Sequence, residues 1–173
     1  MKTESLAQSR ILVIVSSLPT APTGDGRSTR RGQVKLFTCI QGKIRLEKWY
    51  NGTSLEERGP IIGKVYQAIQ NHVRKETSNI IPFEYKYKLV FKQYNGLFVI
   101  IGIEENDNEL VFLESIPVFI KVLDIYFETV SEMDLIFEFP ILYKTLDLMF
   151  YKGEVIELNQ DKILTKLKQI SVN

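Results

Sequence analysis

Apolar and polar positions alternate in short runs over much of the first half of the chain, and this period predicts β-strands. The runs "QVKLFTCI" and "KIRLEKWY" flank Gln41-Gly42 and predict a first hairpin. "IPFEYK" predicts a further strand, and "KLVFKQYNGLFVIIGI" predicts a second hairpin around Asn95-Gly96, a pair that tolerates the positive φ values of a two-residue turn. Because "LFVIIGI" has no polar face, we expect it centrally in a sheet covered on both sides.

Apolar residues at helical spacing predict helices between and after these strands. Ser54 or Pro60 can begin the first helix, since Ser54 and Glu57 have capping-box spacing and proline is common in a first helical turn. Asp107 or Asn108 can cap a second helix that runs to about Val130. The later segments predict three more helices: "SEMDLIFEF", "ILYKTLDLMFY" ending at Gly153, and a last helix capped by Asn159.

This order of elements predicts an α+β fold, with an antiparallel sheet and helices grouped on its faces. The second helix is apolar most of the way round, with one stripe that includes Leu113 and Ile120 and another that includes Phe112 and Phe119. We expect such a helix to need cover that a single sheet cannot supply. Pro117 should kink it or weaken one turn.

Residues 1–32 differ in composition from the remainder of the chain. The stretch 16–32, "SSLPTAPTGDGRSTRRG", is rich in Ser, Thr, Pro and Gly and has no periodicity. Such a composition predicts a disordered tail that assembly does not need, and a globular domain over residues 33–173.

Length and charge limit the classes of protein to consider. The 173 residues suffice for one domain, and 22 basic against 21 acidic residues give a net charge of +1, so no broad attraction to nucleic acid or to a membrane surface is expected. The single cysteine, Cys39, excludes a disulfide framework. "ILVIV" (11–15) is much shorter than the ~20 residues that cross a bilayer, and its flanks are not those of a signal peptide. These features favour a cytosolic protein.

Candidate chemistry is sparse. The sequence has no phosphate-binding glycine motif and no H-E-x-x-H zinc motif. The only histidine, His72, is expected to be solvated, and the acidic run Glu104–Glu109 is expected to form a turn and a helix cap because its spacing is not that of a calcium loop. We therefore expect no catalytic residues, no cofactor and no metal, and a protein that works by binding.

Five segments, in this order and spacing, resemble one family: "GKIRLEKWY", "YKLVFKQYNGLF", "NDNELVFLESI", "VLDIYFETVSEMDLIFEF" and "GEVIELN". They are similar to the sigma (small) subunits of the heterotetrameric clathrin-type adaptor complexes. The resemblance covers about residues 34–170 and implies a longin-type fold, with a five-stranded antiparallel sheet between helices. It also implies a partner, a large adaptin chain of the gamma, alpha, delta or epsilon class, with beta and mu chains in the same complex.

Sigma subunits similar to this chain help to bind acidic dileucine signals, [DE]-x-x-x-L-[LI], in cargo tails. The resemblance implies that a basic patch takes the acidic residue and that adjoining apolar pockets take the two leucines. The positions of this chain that match are Lys43 and Arg45 for the basic patch, and Tyr94, Asn95, Leu97, Ile120, Val130 and Leu135 for the pockets.

Three positions depart from the family pattern. Ile40 replaces a basic residue, Thr129 replaces an asparagine, and Asn95 replaces the alanine of "YAGL". Asn95 can serve only the turn, or it can also reduce leucine binding, because an amide without a partner beside a buried leucine costs ~1–3 kcal/mol.

Different motifs point to different types of complex, and our interpretation is the fourth adaptor type or a divergent relative of it. "FEYK", "KQY" and "VSE" favour the fourth, trans-Golgi adaptor type, whereas "NDNEL" and "KWY" favour the clathrin-associated types, and a TSET-like sigma subunit is a third possibility. The resemblance implies a peripheral location on trans-Golgi, endosomal or plasma membranes through the complex. A free-standing longin module that regulates a small GTPase or a SNARE is the alternative function, and an enzyme is not expected.

Overall fold

The computed structural model describes residues 11–16, 44–50, 54–73, 77–84, 87–94, 97–130, 134 and 137–171. Of residues 11–16, 44, 45, 97 and 171, it describes the backbone alone.

Five strands form one antiparallel sheet with the spatial order β2-β1-β5-β4-β3. This confirms the predicted α+β fold with an antiparallel sheet, and the five strands are consistent with the sheet that the resemblance implies. Pro82 lies within the short outer strand β3. The strands are β1 (Ile11–Ser16), β2 (Ile44–Trp49), β3 (Ile80–Phe83), β4 (Tyr87–Tyr94) and β5 (Leu97–Glu104).

Strand β1 comes from the segment for which composition predicts a disordered tail. Ile11–Ser16 pairs with β2 on one side and with β5 on the other, so the prediction is wrong for these six residues. The physical reason is that "ILVIV" is a continuous apolar run, the pattern of a strand covered on both faces. For residues 1–10 and 17–32, which lie outside the described residues, the tail stays a prediction, and so does the domain boundary near Gln33.

The second predicted hairpin is confirmed by the register of β4 and β5. Tyr94 lies opposite Leu97, so two residues join the strands, although Asn95 and Gly96 themselves lie outside the described residues. Phe98 to Ile101 are all buried, as expected for a central strand. The predicted strand 33–40 and the turn at Gln41-Gly42 also lie outside the described residues.

Helix α1 (Leu55–Val73) covers one face of the sheet. It begins after Ser54, whose N–H and hydroxyl both donate to Glu57 Oε2, at 3.0 and 2.9 Å, so the capping box and not Pro60 sets its start. Val65 and Ile69 pack against sheet residues that include Phe91 and Phe98.

Helix α2 (Glu109–Tyr126) lies on the opposite face and runs through Pro117 as one element. The side chain of Asn108 accepts the Leu110 N–H at 3.1 Å, so the predicted asparagine cap is present. The helix ends four residues before the predicted Val130. The reason is that Glu128 has a left-handed backbone, with φ 60°, so the helix cannot continue through it.

The chain then forms α3 (Phe139–Met149), the two-residue strands β6 (Phe150–Tyr151) and β7 (Glu154–Val155), and α4 (Gln160–Ser171). Residues of α2, α3 and α4 form one apolar core with the sheet, so helices lie on both faces as predicted. The predicted helix "SEMDLIFEF" falls largely outside the described residues.

This core supplies the additional cover that the apolar character of α2 predicts. Its second stripe, including Phe112 and Phe119, is buried within the chain because α3 and α4 pack on it. On α2 the exposed large apolar side chains among the described residues are Leu110, Val111 and Ile125. No helix in the described part of the chain is long and apolar enough to cross a bilayer.

Candidate functional site

Three of the residues matched to a cargo site lie at one end of the sheet. Tyr94 ends β4 and Leu97 begins β5 opposite it, and Leu97 is in turn opposite Ser16 of β1. Val15 of β1 is opposite Ile44, the residue before Arg45 in β2. The antiparallel register therefore brings Arg45, Leu97 and Tyr94 to the same end of four adjacent strands.

Arg45 occupies an irregular position in β2. Leu46 pairs with Ile14 and Ile44 pairs with Val15, so the register shifts by one residue and Arg45 has no partner in β1. An extra residue of this kind forms a β-bulge, which bends the strand and is common beside binding sites. The sequence pattern does not reveal this bulge, because it depends on the pairing of β2 with β1.

Two further matched residues are Ile120, within α2, and Val130, in the turn that follows it. Ile120 is 7% exposed and belongs to the core between the sheet and α2, α3 and α4. Val130 and Tyr94 are half-buried and pack against the same core. The register thus brings Arg45, Tyr94 and Leu97 to one end of the sheet, and Tyr94, Ile120 and Val130 belong to or pack against one apolar core.

The remaining matched positions, Lys43, Asn95 and Leu135, lie outside the described residues. Lys43 and Asn95 adjoin described strand ends in the sequence, at Ile44 and Tyr94, respectively. Their part in the site stays a prediction.

Tyr94 has a carboxylate neighbour. Burial raises the pKa of the Tyr94 hydroxyl above its usual value, and the nearby Glu114 raises it further. Tyr94 therefore stays a neutral hydrogen-bonding group.

A cluster that sequence reasoning missed anchors β2 to α1. The Glu47 side chain is 7% exposed, and its carboxylate lies 3.5 Å from the Arg58 guanidinium, which also stands 5.2 Å from the Trp49 ring centroid. Burial raises the pKa of Glu47, and Arg58 partly opposes that shift. One feature of the sequence could have indicated this cluster. Side chains alternate along a β-strand, so Glu47 and Trp49 of β2 lie on the same face.

Another contact ties β2 to α3. The Lys48 ammonium pairs with Asp147 and stands 5.5 and 5.7 Å from the rings of Tyr50 and Tyr143. The Tyr143 hydroxyl donates to the backbone carbonyl of Glu47 at 2.9 Å. Lys48 is therefore engaged in contacts that hold β2 against α3.

The acidic turn before α2 has the structural role expected from its sequence. The Asp107 carboxylate accepts the Glu104 N–H at 3.0 Å, and Glu109 pairs with Lys88 at 2.7 Å. Among the described residues, no group of three or more His, Cys, Asp or Glu side chains is arranged to hold a metal ion.

Comparison with known sequences identifies relatives over most of the chain. The family model described as "Clathrin adaptor complex small chain" matches residues 33–173. The sigma subunit of the AP-2 complex of Aspergillus fumigatus is 39% identical over 130 residues, 75% of this chain and 90% of the relative. Sigma-1 of the AP-1 complex of Schizosaccharomyces pombe is 38% identical (76% and 82%), and sigma-1 of the AP-4 complex of Mus musculus is 34% identical (78% and 93%). These identities do not favour the fourth adaptor type.

A structural comparison agrees on the fold. A chain in a homology model of the full-length AP-3 complex, in a stretched open conformation, superimposes with a TM-score of 0.61 at 21% identity, over 94% of this chain and 92% of that chain. At this identity the likeness is evidence for the fold only. The family match and the sequence relatives carry the assignment: this chain belongs to the small-chain family of the clathrin adaptor complexes and is a sigma-type subunit.

Proposed function

We propose that the chain is the small subunit of a vesicle-coat adaptor complex, and that the sheet end around Arg45 and Tyr94 binds acidic dileucine signals. A large adaptin chain of the alpha, gamma, delta or epsilon class holds it, beside a beta and a mu chain. Through that complex it associates peripherally with trans-Golgi, endosomal or plasma membranes. It acts by binding and not by catalysis.

The observation that carries the cargo proposal is that the distance between Arg45 and Tyr94 matches the distance between the acidic residue and the first leucine of an extended signal. Arg45 in β2 and Tyr94 in β4 are separated by β1 and β5, which is three strand spacings, or about 14 Å at ~4.8 Å each. In E-x-x-x-L-L the first leucine follows the acidic residue by four positions, about 13 Å in an extended peptide. A peptide lying across the strand ends can thus reach both groups.

Copurification tests the assembly part of the proposal. The tagged full-length chain is recovered from native cytosol, and its partners are identified and quantified by mass spectrometry. Large, beta and mu chains in equal amounts support the adaptor function. A lone small GTPase or SNARE would instead support the alternative of a free-standing regulatory module.

We expect Asn95→Ala to raise the affinity for an E-x-x-x-L-L peptide by about tenfold, equivalent to ~1.4 kcal/mol. The substitution removes an amide that has to lose water beside a leucine, and restores the small residue that the family pattern has. Fluorescence anisotropy with the assembled complex measures the change. Tight binding by the wild-type complex that Asn95→Ala does not improve would contradict it, and would assign Asn95 to the turn alone.

We expect Arg45→Ala to lower the affinity of the Asn95→Ala complex for the same peptide, and to do so more at low salt than at high salt. The reason is that an exposed ionic contact is screened as ionic strength rises. Lys64→Ala is the control, because Lys64 lies on α1 and pairs with Glu84, which follows β3. The screening length is roughly 14 Å at about 50 mM salt and roughly 4 Å at about 500 mM. If Arg45→Ala lowers the affinity equally at both concentrations, Arg45 has no ionic role.

A further inference from the structure

The turn that follows α2 carries Val130, and its backbone is held in an unusual way. The Phe127 N–H still donates to the Leu123 carbonyl at 2.9 Å, so the helical pattern extends to Phe127. Glu128 then takes the left-handed conformation with φ 60°, which few residues other than glycine and asparagine adopt readily. A backbone in this state needs support from its surroundings to persist.

Asp124 supplies that support at Val130. Its Oδ1 accepts the Val130 N–H at 3.0 Å across six residues, in a partly buried position. The rings of Tyr126 and Phe127 are arranged edge to face, with their centroids 5.0 Å apart. The Thr129 hydroxyl donates to the Glu128 carbonyl. Thr129 therefore contributes to the turn itself, and the Asp124 carboxylate is the group that reaches from the helix to Val130.

Val130 is a half-buried residue that packs against the core beside the proposed leucine pocket. A side chain in a short turn can shift by an ångström when its backbone is released, and such a shift is enough to weaken a site built to fit an apolar group. The backbone of Val130 therefore links the conformation of this turn to the shape of the pocket.

We propose that Asp124 is a positioning residue of the dileucine site, acting through Val130; this inference rests on the proposed cargo function. The carboxylate does not contact the ligand. It fixes the backbone of Val130 by accepting its N–H, and this contact requires an oxygen acceptor at Oδ1 but no negative charge. Asparagine can therefore replace Asp124, and alanine cannot.

The test uses the assembled complex with Asn95→Ala, which is expected to bind tighter, and a labelled E-x-x-x-L-L peptide. We expect Asp124→Ala to weaken binding by about five- to tenfold and Asp124→Asn to stay within about twofold of its parent. Asn159→Ala is the matched control, since Asn159 Oδ1 accepts the Lys162 N–H at 3.1 Å at the start of α4. It removes an equivalent acceptor far along the chain and should lower Tm without changing peptide affinity.

Hydrogen exchange at the Val130 amide provides a readout that does not depend on cargo. Exchange should accelerate in Asp124→Ala and stay slow in Asp124→Asn and Asn159→Ala. The inference is overturned by unchanged affinity in Asp124→Ala, by an equal loss in Asp124→Asn, or by an equal loss in Asn159→Ala. Failure of every variant to bind peptide, with the exchange pattern as expected, would overturn the cargo function and leave Asp124 a support of the turn only.

Discussion

Replacing Val13 by proline is expected to destabilise the chain by more than ~3 kcal/mol and to abolish its copurification with a large chain. Val13 lies opposite Glu47 of β2 and Ile100 of β5, in the strand between them. A proline there removes an N–H from the ladder and cannot be accommodated in a central strand. Because domains of this size are stable by only about 5–15 kcal/mol, such a loss is large.

Val13→Thr is the control, because threonine keeps the N–H and the branched Cβ that suit a strand. Soluble yield, far-ultraviolet circular dichroism and recovery with the large chain measure the effect of both substitutions. Normal folding and assembly of Val13→Pro, or of a chain that begins at residue 17, would contradict the placement of β1. Residues 1–32 would then act as the dispensable tail that their composition predicts.

Arg58→Ala is expected to lower the free energy of unfolding by about 2 kcal/mol at pH 7.5, and by less at pH 5. The substitution leaves the Glu47 carboxylate, 7% exposed, without the cation 3.5 Å away. Burial already raises the pKa of Glu47 above its ordinary value of 4.5, and loss of Arg58 raises it further. The stability associated with protonated Glu47 is fully present below 4.5 and is lost as the pH rises through the folded-state pKa.

Urea unfolding at the two pH values measures this difference. Adding Glu47→Gln to Arg58→Ala should remove most of the pH dependence, because glutamine does not titrate. Lys64→Ala breaks an ion pair of 2.8 Å whose side chains are 62% and 44% exposed, and should change stability by no more than ~1 kcal/mol. A loss in Arg58→Ala that is equal at both pH values would point to lost packing on Trp49 instead of the buried charge.

Local sequence signals were sufficient for most of the architecture. The two-residue connection between β4 and β5, the capping box at Ser54 and the cap at Asn108 all follow from neighbouring residues. The end of α2 did not, because it depends on how Glu128 and Val130 are held after the helix and not on the apolar period.

Composition predicted a disordered tail for Ile11–Ser16, where the structure has strand β1, because a short apolar run there lies beside a polar stretch. "ILVIV" has the same unbroken pattern as "LFVIIGI", and both runs lie centrally in the sheet. Residues 16–32, which follow this run, are rich in Ser, Thr, Pro and Gly, and their composition led to the prediction of a tail over the whole of residues 1–32. The apolar run itself indicated a strand, but its partners β2 and β5 lie far along the chain, so the local sequence did not show where the strand pairs.

The candidate site shows the same division between local and distant information. The resemblance supplied its residues, and the strand register explains how Arg45 and Tyr94 come to one end of the sheet. The bulge at Arg45, the carboxylate of Glu114 beside Tyr94 and the contact from Asp124 arise from packing between distant segments. None of these could be predicted from the spacing of residues along the chain.

The outer strands of the sheet have a consequence for the subunit before it is assembled. An exposed strand with free backbone groups can pair with a second chain and start aggregation. In β3, Pro82 offers no N–H to such a chain, and in β2 the hydroxyl of Tyr143 already occupies the Glu47 carbonyl. Each outer strand thus has one backbone group fewer for a second chain to bind, which opposes edge-to-edge pairing of subunits that have not yet joined a large chain.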